Sequence, residues 1–247
     1  MRDARCEIRD VLMTRECEST TAAEAVRHRW RFGVVLAAAL LLVVAQPLLA
    51  GLFDEQGSFD VFFSLLIVAV LLMVFEEREL RRTALSLGLA AFLGIWVGHA
   101  VGGSVGRLCL VGAYLLAAGF FAFALYGILR AIFIKQVSGD AILGAVCGYL
   151  LLGIVWSLLY YAVETASPGA FNVPTPSHAD AAAQRLDRGA LSYFSFITLA
   201  TVGYGDVTPL TPLARTLAWI EAIAGQFYLA VLVAGLVGFK VTQAMKN

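Results

Sequence analysis

Long stretches with few or no charged residues constrain the fold of this chain most. They cover approximately residues 32–52, 59–75, 83–101, 108–129, 141–163 and 213–239. An apolar helix of about 20 residues is long enough to cross the hydrocarbon core of a bilayer. The sequence therefore predicts an all-α membrane protein with six transmembrane helices.

Composition supports this prediction and excludes several classes of protein. Hydrophobic residues make up 60% of the chain and charged residues 15%, whereas about a quarter of the residues in a soluble protein are charged. The formal net charge is zero, which argues against a nucleic-acid partner. The four cysteines have no CxxC spacing, so neither a zinc site nor a disulfide framework is indicated. Membrane lipids are the expected surroundings, and no cofactor is expected.

Three regions follow from the distribution of charge. Residues 1–31 contain seven arginines and six acids and are interpreted as a cytoplasmic N-terminal arm. Residues 32–138 are predicted to form a four-helix membrane domain that ends in a connector, 131–138, lying along the membrane surface. In the third region, 139–247, Asp140 is a candidate N-cap for the fifth span, and the polar, proline-containing residues 164–188 predict an exposed loop.

Basic residues indicate the orientation. With a cytoplasmic amino terminus and six crossings, fourteen of the eighteen Lys and Arg residues lie inside, and four lie outside: Arg107, Arg185, Arg188 and Arg215. This bias satisfies the positive-inside rule. We therefore expect a multi-pass protein of the plasma membrane, the cell inner membrane, with both termini cytoplasmic.

A short apolar segment interrupts the series of spans. Residues 190–200 are too few to cross a bilayer and predict a re-entrant half-helix. The glycine-rich stretch Thr201-Val202-Gly203-Tyr204-Gly205-Asp206 follows directly, and its glycines can adopt positive φ. Gly-Tyr-Gly-Asp alone could be a surface turn. Between two apolar helices, however, such backbone is tolerated only where protein or water satisfies it, which predicts a central aqueous axis.

The hexapeptide TVGYGD resembles the selectivity filter of potassium channels, and residues from about 140 to 240 resemble the helix, pore loop and helix of that family. The resemblance implies that region 139–247 is a pore domain. It also implies K⁺ ions held by oxygens of Thr201, Val202, Gly203 and Tyr204, with Gly205 completing the filter. One chain supplies one strand, so three identical subunits are the implied partners in a homotetramer.

The same resemblance implies which residues support the filter. Thr198 matches the threonine of the family's pore helix, and Asp206 closes the outer end of the filter. Tyr193 and Phe194 stand where many members have two tryptophans, and Ile197 stands where some have a glutamate that pairs with the aspartate. We therefore hypothesise that the conducting filter depends on Tyr193 and Tyr204, and on Arg215, which lies nine residues after Asp206.

Two residues of the last span are gating candidates. Gly225 stands where the family often has a pore-lining gating glycine, and Glu221, four residues earlier, shares its helix face. An acid at membrane depth is a functional candidate, so Glu221 is interpreted either as a gate or proton sensor or as a hydrogen-bond partner of the half-helix through Ser192 or Ser195. Glu164 is interpreted as a solvated interface residue.

The leading hypothesis is a passive potassium channel. Residues 108–129 contain no charge, so no strong voltage gating is expected. The alternatives are a secondary cation transporter, for which an inverted repeat is missing, and a nonconducting regulatory subunit. The sequence has no HExxH or GxSxG motif, so an enzyme is not expected. Regulation is expected from the filter, the lipids, the arm or an unidentified regulatory protein.

Overall fold

Helices dominate the computed structural model, which describes residues 33–45, 64–70, 78–134, 140–173 and 188–245. Residues 33–45 form helix α1, whose last turn, Leu41–Ala45, is π-helical, and residues 64–70 form α2. The longer elements are α3 (Arg78–Val101), α4 (Gly103–Ile134), α5 (Asp140–Ala166), β1 (Phe171–Asn172), α6 (Arg188–Leu199), β2 (Thr208–Pro209) and α7 (Pro212–Ala244).

Four of these helices are long and apolar enough to cross a membrane. The qualifying segments are Arg81–Val101, Gly103–Arg130, Ile142–Ala166 and Pro212–Gly235, and they coincide with the last four predicted spans. The mostly helical, membrane-spanning character is therefore confirmed. The first two predicted spans lie only partly within the described residues, so the count of six stays a prediction. The cytoplasmic arm, 1–31, lies outside the described residues.

The connector predicted over 131–138 is wrong in its first half, because α4 continues to Ile134. No glycine or proline interrupts residues 130–134, so nothing stops the helix from propagating there. Residues 135–138 lie outside the described part of the chain.

Two glycines form the tight turn between α3 and α4. Gly102 and Gly103 have φ of 62° and 61°, a left-handed conformation that glycine adopts without steric cost. Below the turn the helices approach closely, because a Cβ on Gly106 would lie 2.6 Å from the carbonyl oxygen of Gly98. The turn and the close approach make α3 and α4 a tightly packed hairpin.

Aromatic and hydroxyl contacts run from α4 through α5 to α6. Helices α4 and α5 pack along each other, and α5 also contacts α6 and α7. Buried Tyr114 of α4 meets buried Tyr161 of α5 edge to face, with ring centroids 5.7 Å apart. The Tyr161 hydroxyl is hydrogen-bonded to Ser192 of α6. The short helix is therefore held from its outer side by two layers of helix.

The fold also contains a small antiparallel sheet that an all-α prediction omits. Strand β1 pairs with β2 in the register Phe171↔Pro209, and the amide of Leu210 donates to the carbonyl of Ala170 at 2.8 Å. The start of the predicted exposed loop is thus bound to the chain that follows the glycine-rich stretch. Residues 174–187 of that loop lie outside the described residues.

Candidate ion-binding site

The end of α6 determines the conformation of the glycine-rich stretch. Thr201 N donates to Thr198 O at 2.9 Å, and Val202 N donates to Ile197 O at 2.8 Å. These two bonds form a Schellman motif, which needs a residue with left-handed backbone at the position of Thr201. Thr201 has φ of 58°, which is strained for a β-branched residue and is usually left to glycine. Strain of this kind points to a function for the threonine side chain.

Left-handed backbone recurs at every second residue beyond this point. Gly203 has φ of 55° and Gly205 has φ of 80°, after the 58° of Thr201. In an ordinary strand successive carbonyls point to opposite sides. Alternating the backbone hand can bring successive peptide groups to the same side, the principle by which backbone nests bind ions. The stretch therefore has a backbone suited to a row of oxygen ligands.

This row is open in the isolated subunit. Residues 201–206 are exposed, and Tyr204 keeps 73% of its surface accessible. Exposed irregular backbone at membrane depth does not face lipid. Among the described residues, no group of three or more His, Cys, Asp or Glu side chains could hold a metal ion, so backbone and threonine oxygens are the candidate cation ligands.

Asp206 at the outer end of the row is held by Tyr193 of α6. The Tyr193 hydroxyl donates a hydrogen bond to Asp206. This bond lowers the pKa of Asp206 and raises that of Tyr193. The structure thus brings together two of the predicted filter supports, which differ from the partner that Ile197 cannot supply.

Arg215 does not join this pair as the hypothesis expected. Its Nε donates to the carbonyl of Pro209 at 3.1 Å, so it braces β2 instead of Asp206. Thr198 lies in the last turn of α6, where its carbonyl accepts the Thr201 amide.

Glu221 is fully buried between three helices. Its Oε2 accepts a hydrogen bond from Tyr160 of α5, and its Oε1 lies 2.5 Å from Ser195 Oγ of α6. Ser195 Oγ also donates to the carbonyl of Gly153, at 2.8 Å. Of the two serines predicted as partners of Glu221, the structure selects Ser195, and Ser192 bonds to Tyr161 instead.

Gly225, the other gating candidate, is buried against the end of α6. A Cβ on Gly225 would lie 2.5 Å from the carbonyl oxygen of Leu199. The absence of a side chain lets α7 touch the residue that ends the short helix. Its role in gating stays a prediction, but close packing by itself already requires glycine here.

Sequence reasoning missed three supports of the site. Tyr160, Phe171 and Phe194 form a buried triangle, with ring centroids 5.2–5.5 Å apart. Glu164 is more than a solvated residue, because its two oxygens accept the amides of Gly169 at 2.7 Å and Phe171 at 3.1 Å. The run of aromatic residues around Tyr160 was a signal for such a cluster, but its partners are distant in sequence.

Comparisons with known proteins give this geometry a family. Residues 146–240 match the family model described as "Ion channel". A segment of 87 residues is 37% identical to the inward rectifier potassium channel Kirbac3.1 of Paramagnetospirillum magnetotacticum, covering 34% of this chain and 24% of that protein. Residues 146–240 belong to the potassium channel family.

Two further relatives match the same kind of segment. The two pore potassium channel c of Oryza sativa subsp. japonica is 33% identical over 94 residues, covering 37% of this chain and 18% of that protein. Protein LctB of Geobacillus stearothermophilus is 39% identical over 87 residues, covering 35% of this chain and 60% of that protein. This potassium channel segment thus spans between a fifth and three fifths of these relatives. No solved structure gives a significant match.

Proposed function

We propose that four copies of this chain form a potassium-selective channel that conducts K⁺ passively. In this proposal the filter is Thr201–Gly205, and oxygens of Thr201, Val202, Gly203 and Tyr204 replace the hydration shell of the ion. The observation that carries the proposal is the alternation of left-handed backbone at residues 201, 203 and 205 directly after the half-helix α6. The relatives named as potassium channels support the choice of ion.

The homotetramer is supported by what one subunit leaves exposed. A single strand of oxygen ligands cannot surround an ion, and residues 201–206 are open. Large apolar side chains of α7, among them Trp219, Ile223 and Phe227, are also exposed. Three further subunits would complete the ring of oxygens and cover part of this apolar surface.

Two further parts of the proposal concern orientation and gating. The bias of basic residues supports a plasma membrane protein, in the cell inner membrane, with the filter at the outer face and both termini cytoplasmic. Helix α4 carries no charge between residues 108 and 129. Because each charge moved through the field contributes about 2.3 kcal/mol per 100 mV, we propose that this domain gives no steep voltage dependence.

Potassium flux into proteoliposomes tests the function, with sodium flux as the comparison. Gly203→Ala should abolish potassium selectivity, because Gly203 has positive φ although nothing lies within 4 Å of an added Cβ. Gly119→Ala is the matched control, since it also has open space but lies within helix α4. Equal potassium and sodium flux through the wild type would contradict the proposal.

The same experiment distinguishes the alternatives. Saturable flux coupled to protons or sodium would indicate a secondary cation transporter. A folded tetramer without flux under any ionic condition would indicate a nonconducting channel-like subunit.

A further inference from the structure

The cluster around Glu221 contains more hydrogen-bond contacts than its hydroxyl groups have hydrogens. Four contacts are present: Tyr160 to Glu221, Ser195 to Glu221, Ser195 to the Gly153 carbonyl and Ser157 to the same carbonyl. The three hydroxyl groups of Tyr160, Ser195 and Ser157 carry one hydrogen each. One contact therefore has no hydrogen if Glu221 is ionised.

Ser195 is where the hydrogen is missing. Its oxygen lies 2.5 Å from Glu221 Oε1 and 2.8 Å from the Gly153 carbonyl oxygen, and both distances are those of full O–H···O bonds. A carbonyl oxygen only accepts, so Ser195 must donate to Gly153 to keep that bond. The contact with Oε1 then needs a hydrogen on Glu221.

A proton on Glu221 satisfies every contact. The carboxylic acid donates from Oε1 to Ser195, Ser195 donates to Gly153, and Tyr160 donates to Oε2. Glu221 is fully buried, and its hydrogen-bond partners within the described residues are hydroxyl groups and not cations. Burying a carboxylate without a cation is costly, whereas a neutral acid with these partners is not.

We propose that Glu221 is a protonated positioning residue, whose hydrogen keeps Ser195 of α6 bonded to Gly153 of α5. Loss of the proton turns the Ser195 hydroxyl toward the carboxylate and breaks its bond to Gly153. The half-helix then loses one of its attachments to α5. Because residues 201–203 are hydrogen-bonded to the end of this helix, its displacement changes the geometry of the filter. The effect on conduction rests on the proposed function, whereas the protonation does not.

The other titratable groups around Glu221 are two tyrosines of α5. Tyr160 bonds to it directly, and Tyr149 interacts with it electrostatically. From α6 only the hydroxyl of Ser195 reaches it among the described residues. Tyr193, on the same helix, interacts with Asp206 instead.

Infrared difference spectroscopy of the reconstituted protein tests the proton without any need for conduction. The wild type should show the C=O stretching band of a protonated carboxylic acid, and Glu221→Gln should remove it. Ser195→Ala should shift the band, because the acid loses its acceptor, and this variant serves if Glu221→Gln does not assemble. A wild-type spectrum in which neither variant changes a protonated-acid band would overturn the proposal.

Potassium flux at increasing pH tests the positioning role. Flux through the wild type should fall about two- to tenfold in alkaline medium, the equivalent of one hydrogen bond. Glu221→Gln should conduct without this fall, because its amide donates to Ser195 and accepts from Tyr160 as the neutral acid does. Tyr160→Phe should retain the fall, which excludes ionisation of that tyrosine as its cause. The same alkaline fall in Glu221→Gln would refute the role, and absence of wild-type flux at every pH would refute the proposed function while the infrared result stands.

Discussion

Replacing Gly225 by alanine distinguishes a packing glycine from a hinge glycine. The added Cβ would lie 2.5 Å from the Leu199 carbonyl oxygen and 2.9 Å from Leu199 Cδ1. Carbon and oxygen normally approach no closer than about 3.3 Å, so the helices must separate by about 0.8 Å. The atom that must move first belongs to the backbone at the end of α6, which cannot rotate away as a side chain could.

Two opposing terms determine the sign of the effect. Overpacking of this kind costs about 1–3 kcal/mol, whereas alanine in place of glycine stabilises a helix interior by about 1 kcal/mol. We therefore expect Gly225→Ala to lower the free energy of unfolding by about 0–2 kcal/mol. It should also reduce potassium flux, because Leu199 lies two residues before Thr201. A glycine needed only for bending would show the opposite sign, a gain in stability.

Denaturant unfolding in detergent micelles, followed by circular dichroism, measures the stability term, and proteoliposome flux measures the consequence for the filter. Gly238→Ala is the control on the same helix, since nothing lies within 4 Å of its added Cβ. It should be neutral or stabilising. Gly225→Ala with wild-type flux and stability at or above that of the wild type would refute the packing argument.

Three further substitutions address the outer end of the site. Tyr193→Phe removes the hydrogen bond that lowers the pKa of Asp206. Because the ionised aspartate contributes above its pKa and is lost as the pH falls, acid should reduce flux at a higher external pH in this variant, and superimposable pH profiles would contradict this. Arg215→Gln should leave block by external cations unchanged, since the arginine bonds to the Pro209 carbonyl; altered block would restore its role at the filter. Glu164→Gln leaves one oxygen where two accept backbone amides, and a loss of about 1–2 kcal/mol is expected in denaturant unfolding, whereas an unchanged midpoint would show that the turn does not need the carboxylate.

The half-helix and the last span were predictable because length limits what an apolar segment can do in a bilayer. Eleven apolar residues cannot cross it, and α6 differs from the predicted 190–200 by one or two residues at each end. Glycine spacing likewise predicted left-handed backbone at positions 203 and 205. Left-handed backbone at Thr201 was not predictable from residue type, because it follows from the hydrogen bonds that close the end of α6.

Side-chain partners were predictable only where helix geometry restricts the choice. Glu221 had to face α6, but Ser192 and Ser195 lie three residues apart on the same helix face. Only the position of Tyr161, which bonds to Ser192, assigns Ser195 to Glu221. Sequence distance misled for Arg215, because β2 lies between it and Asp206 and offers a nearer carbonyl.

The small sheet could not be predicted for a different reason. Its strands have two residues each, too few for any periodic pattern. The partners Phe171 and Pro209 meet only after α6 and the glycine-rich stretch have folded back. Such pairing is a product of tertiary structure and carries no local signal.

The aromatic triangle of Tyr160, Phe171 and Phe194 has a consequence for the order of assembly. All three rings belong to one subunit and lie between residues 160 and 194. Contacts at such short sequence separation need little loop closure and form early. We therefore expect a newly inserted chain to seat its half-helix before it meets another copy, so that oligomer formation is the docking of finished parts rather than folding in company.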